Sequence, residues 1–400
     1  MEFRQSLPSS DVVFGKGKLG NIGKEASNLG QKALLVTGKS SMEKLGFLDK
    51  AMDSLRDAGM DVVHYGEVEP NPTVDLVDRG ADLTLDRGCD TVIALGGGSS
   101  IDTAKSIAVV AGHSDGSRNK SIWDYAWSDE GETEPITDST LPTIAVTSTA
   151  GTGSHVTQYA VVTNSESGAK VGYGDSPMFP SVSIVDPEVH ASMPPGLTAV
   201  TGFDVFAHAS ESFICKSDQP LSDPLALKAM EYVGEYLPRL YEDEEDMEAR
   251  EIMAVADTYA GFCIAWGDLA LRHAMSHPVS GFYPEISHGQ ALASVAVPIM
   301  KHNIENGDEE TWGRYGKIAV ALGSIGSSEK TKDSALKAAE ATEELLRKLD
   351  LDKSLTELGV KEGDLDKMVE STMVHMEHML QANPAETERE HVKEIFLEAM

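Results

Sequence analysis

Short apolar runs alternate with longer amphipathic stretches through the first half of the chain. Residues 31–37, Gln-Lys-Ala-Leu-Leu-Val-Thr, read as a buried strand. From about Ser41 to Ala58 apolar residues recur at helical spacing, at Leu45, Leu48, Met52 and Leu55. Asp61 to Tyr65 gives a second strand, and Pro70-Asn71-Pro72-Thr73 ends it and caps a helix running through Arg87. Asp90 to Leu95 predicts a third strand and Ile101 to Ala111 a helix. Leu141 to Val146 and Val182 to Val185 add two more strands. Strand alternating with helix predicts a parallel sheet covered by helices on both faces. Residues 113 to 139, polar and rich in Asp, Ser and Gly, predict an excursion from that sheet. From about Thr198 the apolar period becomes helical and stays so. The expected architecture is an α/β domain over residues 1–193 and an all-helical domain over 194–400, divided near Met193-Pro194-Pro195-Gly196.

Composition narrows the class. The 400 residues are 41% hydrophobic and 24% charged, ordinary for a globular protein and enough for two cores. The formal net charge of −32 repels polyanions, which argues against nucleic acid and anionic membrane as partners. A solvated acidic surface accounts for the charge without any partner; a more specific expectation is adaptation to high salt, where ions screen the self-repulsion. No apolar run is long enough to span a bilayer, and the first residues lack the basic and apolar regions of a signal peptide. Cys89, Cys215 and Cys263 are far apart with no CxxC spacing, which argues against disulfides and points to the cytoplasm.

Three segments carry candidate chemistry. Leu95-Gly96-Gly97-Gly98-Ser99-Ser100-Ile101-Asp102 follows a strand and opens a helix, where free N–H groups and the helix dipole favour a phosphate. It is neither GxGxxG nor a Walker A loop, and taken alone it reads equally as a plain turn. Thr147-Ser148-Thr149-Ala150-Gly151-Thr152-Gly153-Ser154 offers small hydroxylated residues for a close wall around a ligand, or simply a polar turn. The third lies in the helical half. Asp204 and His208 are four residues apart, as are His273 and His277, and His288 follows. On a helix each pair shares one face, and a carboxylate with two or three imidazoles suits a borderline divalent ion rather than magnesium or calcium. A capping Asp with a satisfied core histidine is the ordinary alternative for the first pair. Spacing alone does not separate His273 from His277 as a ligand.

With these residues in view, the chain resembles the iron-containing (group III) alcohol dehydrogenases over essentially its full length. The matching segments are Phe14-Gly15-Lys16-Gly17, Pro70 to Thr73, Gly96 to Lys105, Thr149 to Ser154, Thr201 to Glu211, His273 to Pro278, and Asn383-Pro384. The resemblance implies an N-terminal dinucleotide-binding α/β domain with a parallel sheet and an all-helical C-terminal metal-binding and catalytic domain, with the chemistry between them. It implies metal ligands at Asp204, His208, His273 and His288, with His277 outside that set beside cofactor and substrate. Imidazole chemistry makes His277 the candidate for relaying the alcohol proton, with a helix-packing histidine of purely orienting role as the alternative. Cofactor contacts fall on Asn71, Gly97, Gly98, Ser99, Asp102, Thr147, Thr149 and Lys170. Iron is the expected metal, with zinc, manganese or nickel also suited to mixed oxygen and nitrogen ligation. The chain departs from the family pattern at His155, where an acid is usual, and at Ser100, where proline is common. Arg272, beside His273, is expected to form a surface ion pair, or else to offer a cation to a substrate carboxylate.

The expected reaction is NAD(P)-linked interconversion of small, primary alcohols and aldehydes, with a glycerol or diol dehydrogenase as the nearest alternative and a non-catalytic metal-binding protein as the more distant one. Cofactor choice is read from the end of the first strand. NAD enzymes place an acid there for the ribose 2′-hydroxyl; this chain has Gly38-Lys39-Ser40, which leaves room for a 2′-phosphate and favours NADP over NAD. The resemblance also implies a homodimer or higher homo-oligomer.

Overall fold

The computed structural model describes residues 10–114, 120–126, 132–166, 169–216 and 220–400. The chain divides into two compact units, Met1–Met193 and Pro194–Met400.

The N-terminal unit is built on six parallel strands: β1 (Asp11–Phe14), β2 (Lys32–Gly38), β3 (Asp61–Val68), β4 (Thr91–Gly96), β5 (Thr143–Thr147) and β8 (Val182–Val185), in the order β1-β8-β5-β4-β2-β3. A separate antiparallel pair, β6 (Tyr159–Thr163) and β7 (Lys170–Gly174), completes the strands. The central strands are buried on both faces, which is why they read as continuous apolar runs rather than alternating ones. Ala33, Leu35, Ile93, Leu95, Ile144 and Val146 pack on one side. Leu34, Val36, Val92, Ala94 and Ala145 pack on the other, against helix α1 (Val74–Arg87) and helix α2 (Gly98–Gly112). Thr73 caps α1, its hydroxyl accepting from Leu76 N at 3.3 Å.

One local expectation needs correction. The single helix over Ser41–Ala58 is two, Ser41–Lys44 and Phe47–Asp57, because the chain turns through Gly46 at φ 75°. Strands β1, β6 and β7 lie outside the expected set, although Val12-Val13-Phe14 and Tyr159-Ala160-Val161-Val162 are short apolar runs. The polar stretch 113–139 lies partly outside the described residues; within it, Ile122–Ala126 forms a short helix.

Among the described residues the C-terminal unit carries no strand. Its elements of interest are α3 (Pro195–Ile214), α4 (Leu271–Phe282) and α5 (His288–Asn306). Leu271, Met275 and Val279 on one face of α4 join Ala291, Val295 and Ile299 of α5 in a core closed by Val392, Ile395 and Phe396. Among the described residues no helix is long and apolar enough to cross a membrane. The three cysteines are buried and free.

Candidate active site

In the N-terminal unit the residues expected to meet a nucleotide gather at the carboxyl ends of neighbouring parallel strands, where open α/β sheets bind ligands. Gly96 closes β4 opposite Thr147 at the end of β5, and Thr37 of β2 pairs with Leu95. Ser148 N donates to Gly96 O at 2.9 Å, tying the two loops together. A Cβ on Gly98 would come within 2.6 Å of the Thr152 methyl carbon, so the absent side chain lets the turn and the loop pack together. The Thr147 hydroxyl donates to Thr149 O at 2.8 Å. Asp102 stands behind them, one carboxylate oxygen accepting from the Ser154 hydroxyl at 2.6 Å and the other from Val161 N at 3.0 Å. Burial pushes its carboxyl up, opposed by the nearby Lys105 and Lys170 charges. Both oxygens of Asp102 thus accept from the protein itself, which ties the start of α2 to the loop at Ser154 and to Val161.

Asn71 and Lys170, 99 residues apart, meet: Lys170 Nζ donates to Asn71 Oδ1 at 2.9 Å. Asn71 adopts φ 56°, a left-handed conformation that Asn tolerates better than most residues. Gly38 ends β2 with open space around it, the nearest atom to an added Cβ being Val68 O at 3.8 Å. Lys39 lies well exposed and is paired with Glu69, whose carboxyl this contact holds low. Ser40 precedes the short helix Ser41–Lys44. His155 is wholly buried, and burial pulls its pKa down to about 3, so the ring is neutral; its carbonyl accepts from the Ser183 hydroxyl.

In the C-terminal unit the four expected ligands converge. Asp204 and His208 lie one turn apart on α3, His273 in the first turn of α4, and His288 at the start of α5. Asp204 Oδ1 faces the Nε2 atoms of His208 at 3.6 Å, His273 at 3.6 Å and His288 at 3.9 Å. These separations are too long for hydrogen bonds. Two ligands each about 2.1 Å from one tetrahedral ion lie roughly 3.4 Å apart, so the spacing fits donors sharing an ion. Asp204 Oδ1 and His273 Nε2 are buried and make no hydrogen bond among the described residues, a costly arrangement that an ion would relieve. Asp204, His273 and His288 have donor atoms all within 4.8 Å of one another. The His208 ring stacks on His273 with centroids 4.6 Å apart. His277 is buried beside the cluster, its ring 5.5 Å from His288 and 6.5 Å from His273. Gly289 brings α5 into place: a Cβ there would stand 2.0 Å from Val200 O of α3.

One feature lay outside the sequence reading and one was misread. Glu211, on the same face of α3 as Asp204 and His208, accepts from His273 Nδ1. Burial opposes the charge on His273, but Glu211 and Asp204 outweigh it and carry its pKa up to about 9. The i, i+4, i+7 spacing of Asp204, His208 and Glu211 was the available signal. Arg272 is corrected: it is 1% exposed, not on the surface, and its Nη1 donates to the Ser210 hydroxyl at 3.0 Å.

A nucleotide-type turn in one unit and a metal-type donor set in the other define the class: a metal-dependent oxidoreductase working with a nucleotide cofactor. The chain belongs to the iron-containing alcohol dehydrogenase family. Residues 9–187 match its iron-containing alcohol dehydrogenase domain and residues 198–400 its C-terminal domain. Among relatives, the chain is 34% identical to the NAD-dependent methanol dehydrogenase of Bacillus methanolicus, with 94% of each chain covered. It is also 34% identical to the NADPH-dependent butanol dehydrogenase of Clostridium saccharobutylicum, covering 98% of this chain and 97% of that one. Among solved structures, the archaeal halo-thermophilic Red Sea brine pool alcohol dehydrogenase is 57% identical, with a TM-score of 0.98 over 100% of this chain and 99% of that one. The chain is an oxidoreductase acting on alcohols, and its family implies iron and a nicotinamide nucleotide as cofactors.

Proposed function

We propose that the chain is an NADP-preferring alcohol dehydrogenase and aldehyde reductase for small primary alcohols, with iron held by Asp204, His208, His273 and His288. The observation carrying this reading is the buried Asp204 carboxylate oxygen, which makes no hydrogen bond among the described residues and faces three imidazole nitrogens at 3.6–3.9 Å. When bound, iron supplies Lewis acidity toward the alcohol or aldehyde oxygen, and the nicotinamide accepts or gives the hydride. The residues do the rest. Gly97, Gly98 and Ser99 offer the free N–H groups of the α2 N-terminus to the pyrophosphate. Thr147 and Thr149, held by Asp102 through Ser154, wall the nucleotide; Asn71 and Lys170 contribute a linked polar pair. Gly38, Lys39 and Ser40 would accommodate the 2′-phosphate, Lys39 exchanging Glu69 for it. A homodimer is part of the reading, as are a cytoplasmic setting and a surface adapted to salt.

His277 is proposed to hold and relay the alcohol proton, since imidazole titrates near working pH. Its replacement by alanine is expected to lower turnover about 100-fold and flatten the pH profile. Unchanged turnover with an unchanged profile would remove the relay.

The reading as a whole is tested by anaerobic metal analysis joined to a 340 nm assay with NADPH and NADH, run against short aldehydes at low and molar KCl. The expected result is about one metal ion per chain, faster oxidation of NADPH than of NADH, and a melting temperature that climbs with salt. Faster NADH turnover would overturn the cofactor preference alone, and a flat salt response the salt adaptation alone. No metal and no turnover would overturn the enzyme.

A further inference from the structure

Glu211 lies three residues beyond His208 and seven beyond Asp204 on α3, so the three side chains run down one face of the helix. Its carboxylate is 1% exposed and receives three donors: Arg272 N at 2.6 Å, His273 N at 3.2 Å, and His273 Nδ1. Arg272 and His273 are the second and third residues of α4, whose first amides have no partner inside the helix. One carboxylate therefore caps α4 and grips the ring that α4 carries. A ring donating from Nδ1 to Glu211 keeps, in its neutral form, its lone pair at Nε2. Nε2 is the atom aimed at Asp204 Oδ1. The buried Arg272 guanidinium, anchored on Ser210 and lying over the Phe206 ring at 5.5 Å, offsets the charge of Glu211.

We propose that Glu211 is a positioning residue of the metal centre: it selects the His273 tautomer that presents Nε2 to the ion, and it fixes the start of α4 so that the ring keeps its place opposite Asp204. The proposal rests on the metal reading of that cluster. A carboxylate behind a liganding histidine does this generally, and losing it weakens metal affinity about 10–100-fold. A carboxylate that only caps the helix would lower stability and leave metal affinity alone.

Glu211→Gln separates the two. It keeps the shape but offers one acceptor oxygen and an amide group to three donors. Turning that amide toward His273 Nδ1 drives the ring proton to Nε2, where it competes with the metal. The measurement is Co²⁺ affinity of the full chain by competition with a chromophoric chelator, with the visible spectrum of the Co²⁺ complex recorded alongside. The expected result is affinity down about 10–100-fold with an altered spectrum, and partial recovery of both in Glu211→Asp. Wild-type affinity and spectrum in Glu211→Gln, even at a lowered melting temperature, would overturn the proposal and leave Glu211 a helix cap. If Glu211→Gln does not fold, Glu211→Asp decides alone: weaker Co²⁺ binding supports the proposal and unchanged binding overturns it. His273→Ala guards the premise. Were it to bind Co²⁺ as tightly as the wild type, the metal reading would fall and this proposal with it; loss of binding there with none in Glu211→Gln refutes only the proposal.

Discussion

Asp204→Asn is expected to lower turnover roughly a thousandfold, the equivalent of about 4 kcal/mol of transition-state stabilisation, and to empty the metal centre. Asparagine has nearly the same shape, so what is lost is charge. Asp204 is the only anionic donor among the four, and without it the ion would face three imidazoles alone. The same change should cost the metal-free protein far less than the metal-loaded one. Asp204 Oδ1 makes no hydrogen bond among the described residues, so at that atom the substitution breaks none. What it removes from the metal-free protein is one of the two carboxylate charges that hold the His273 pKa up. Metal-free Asp204→Asn should therefore melt only a little below the metal-free wild type, and the gap should widen with metal, because only the wild type gains from binding. Metal content, turnover and the two melts together check this. A variant retaining both metal and turnover would show that the carboxylate is a packing residue. One that lost as much stability without metal as with it would show that Asp204 holds the fold by contacts other than those described.

That carboxylate was legible in the sequence because the chemistry is local. Asp204 and His208 share a helix face by spacing alone, and the glycine-rich turn announces itself by following an apolar run and opening a helix. The central strands were legible for a related reason: buried on both faces, they are continuous apolar runs. What stayed hidden is set by long-range pairing. β1 is four residues with two exposed, and it becomes a strand only by lying beside β8, whose partner residues are about 170 positions away. β6 and β7 are strands because they pair with each other, and only four of their ten positions are buried. Sheet order is likewise invisible to periodicity. His273 and His277 were indistinguishable by spacing; in the structure His273 has its Nε2 opposite Asp204, while the His277 ring stands 6.5 Å behind it. Arg272 was misread because a charged residue is assigned to the surface by default. Nothing in its neighbours along the chain reveals that Ser210 and Glu211, some sixty residues earlier, take its charge inside.

Lys105→Met is expected to destabilise the N-terminal unit by about 3 kcal/mol, which for a unit of this size lowers melting by roughly 10 °C. Lys105 is wholly buried in α2, and its Nζ donates to Ser154 Oγ at 3.0 Å, Thr157 O at 2.7 Å and Tyr159 O at 2.8 Å. Methionine fills the volume but strands those acceptors and removes the charge that Asp102 senses. The loop from Thr147 to Ser154 would lose its anchor, so KM for the nucleotide should rise while Co²⁺ affinity, a property of the other unit, stays put. The pH dependence has a definite sign. Burial pulls the ammonium down to about 7, partly opposed by Asp102, and the neutral amine above that pH keeps two N–H donors for its three acceptors. An unfolded lysine titrates near 10.4, so between about pH 7 and 10.4 the unfolded chain holds a proton that the folded one has released. Stability from this group therefore rises with pH across that window and is lost as pH falls toward 7. Lys105→Met abolishes that slope, so the gap between wild type and variant should widen from pH 7 to 9. A constant gap would mean that Lys105 keeps its proton in the folded state, its three acceptors outweighing the cost of burial.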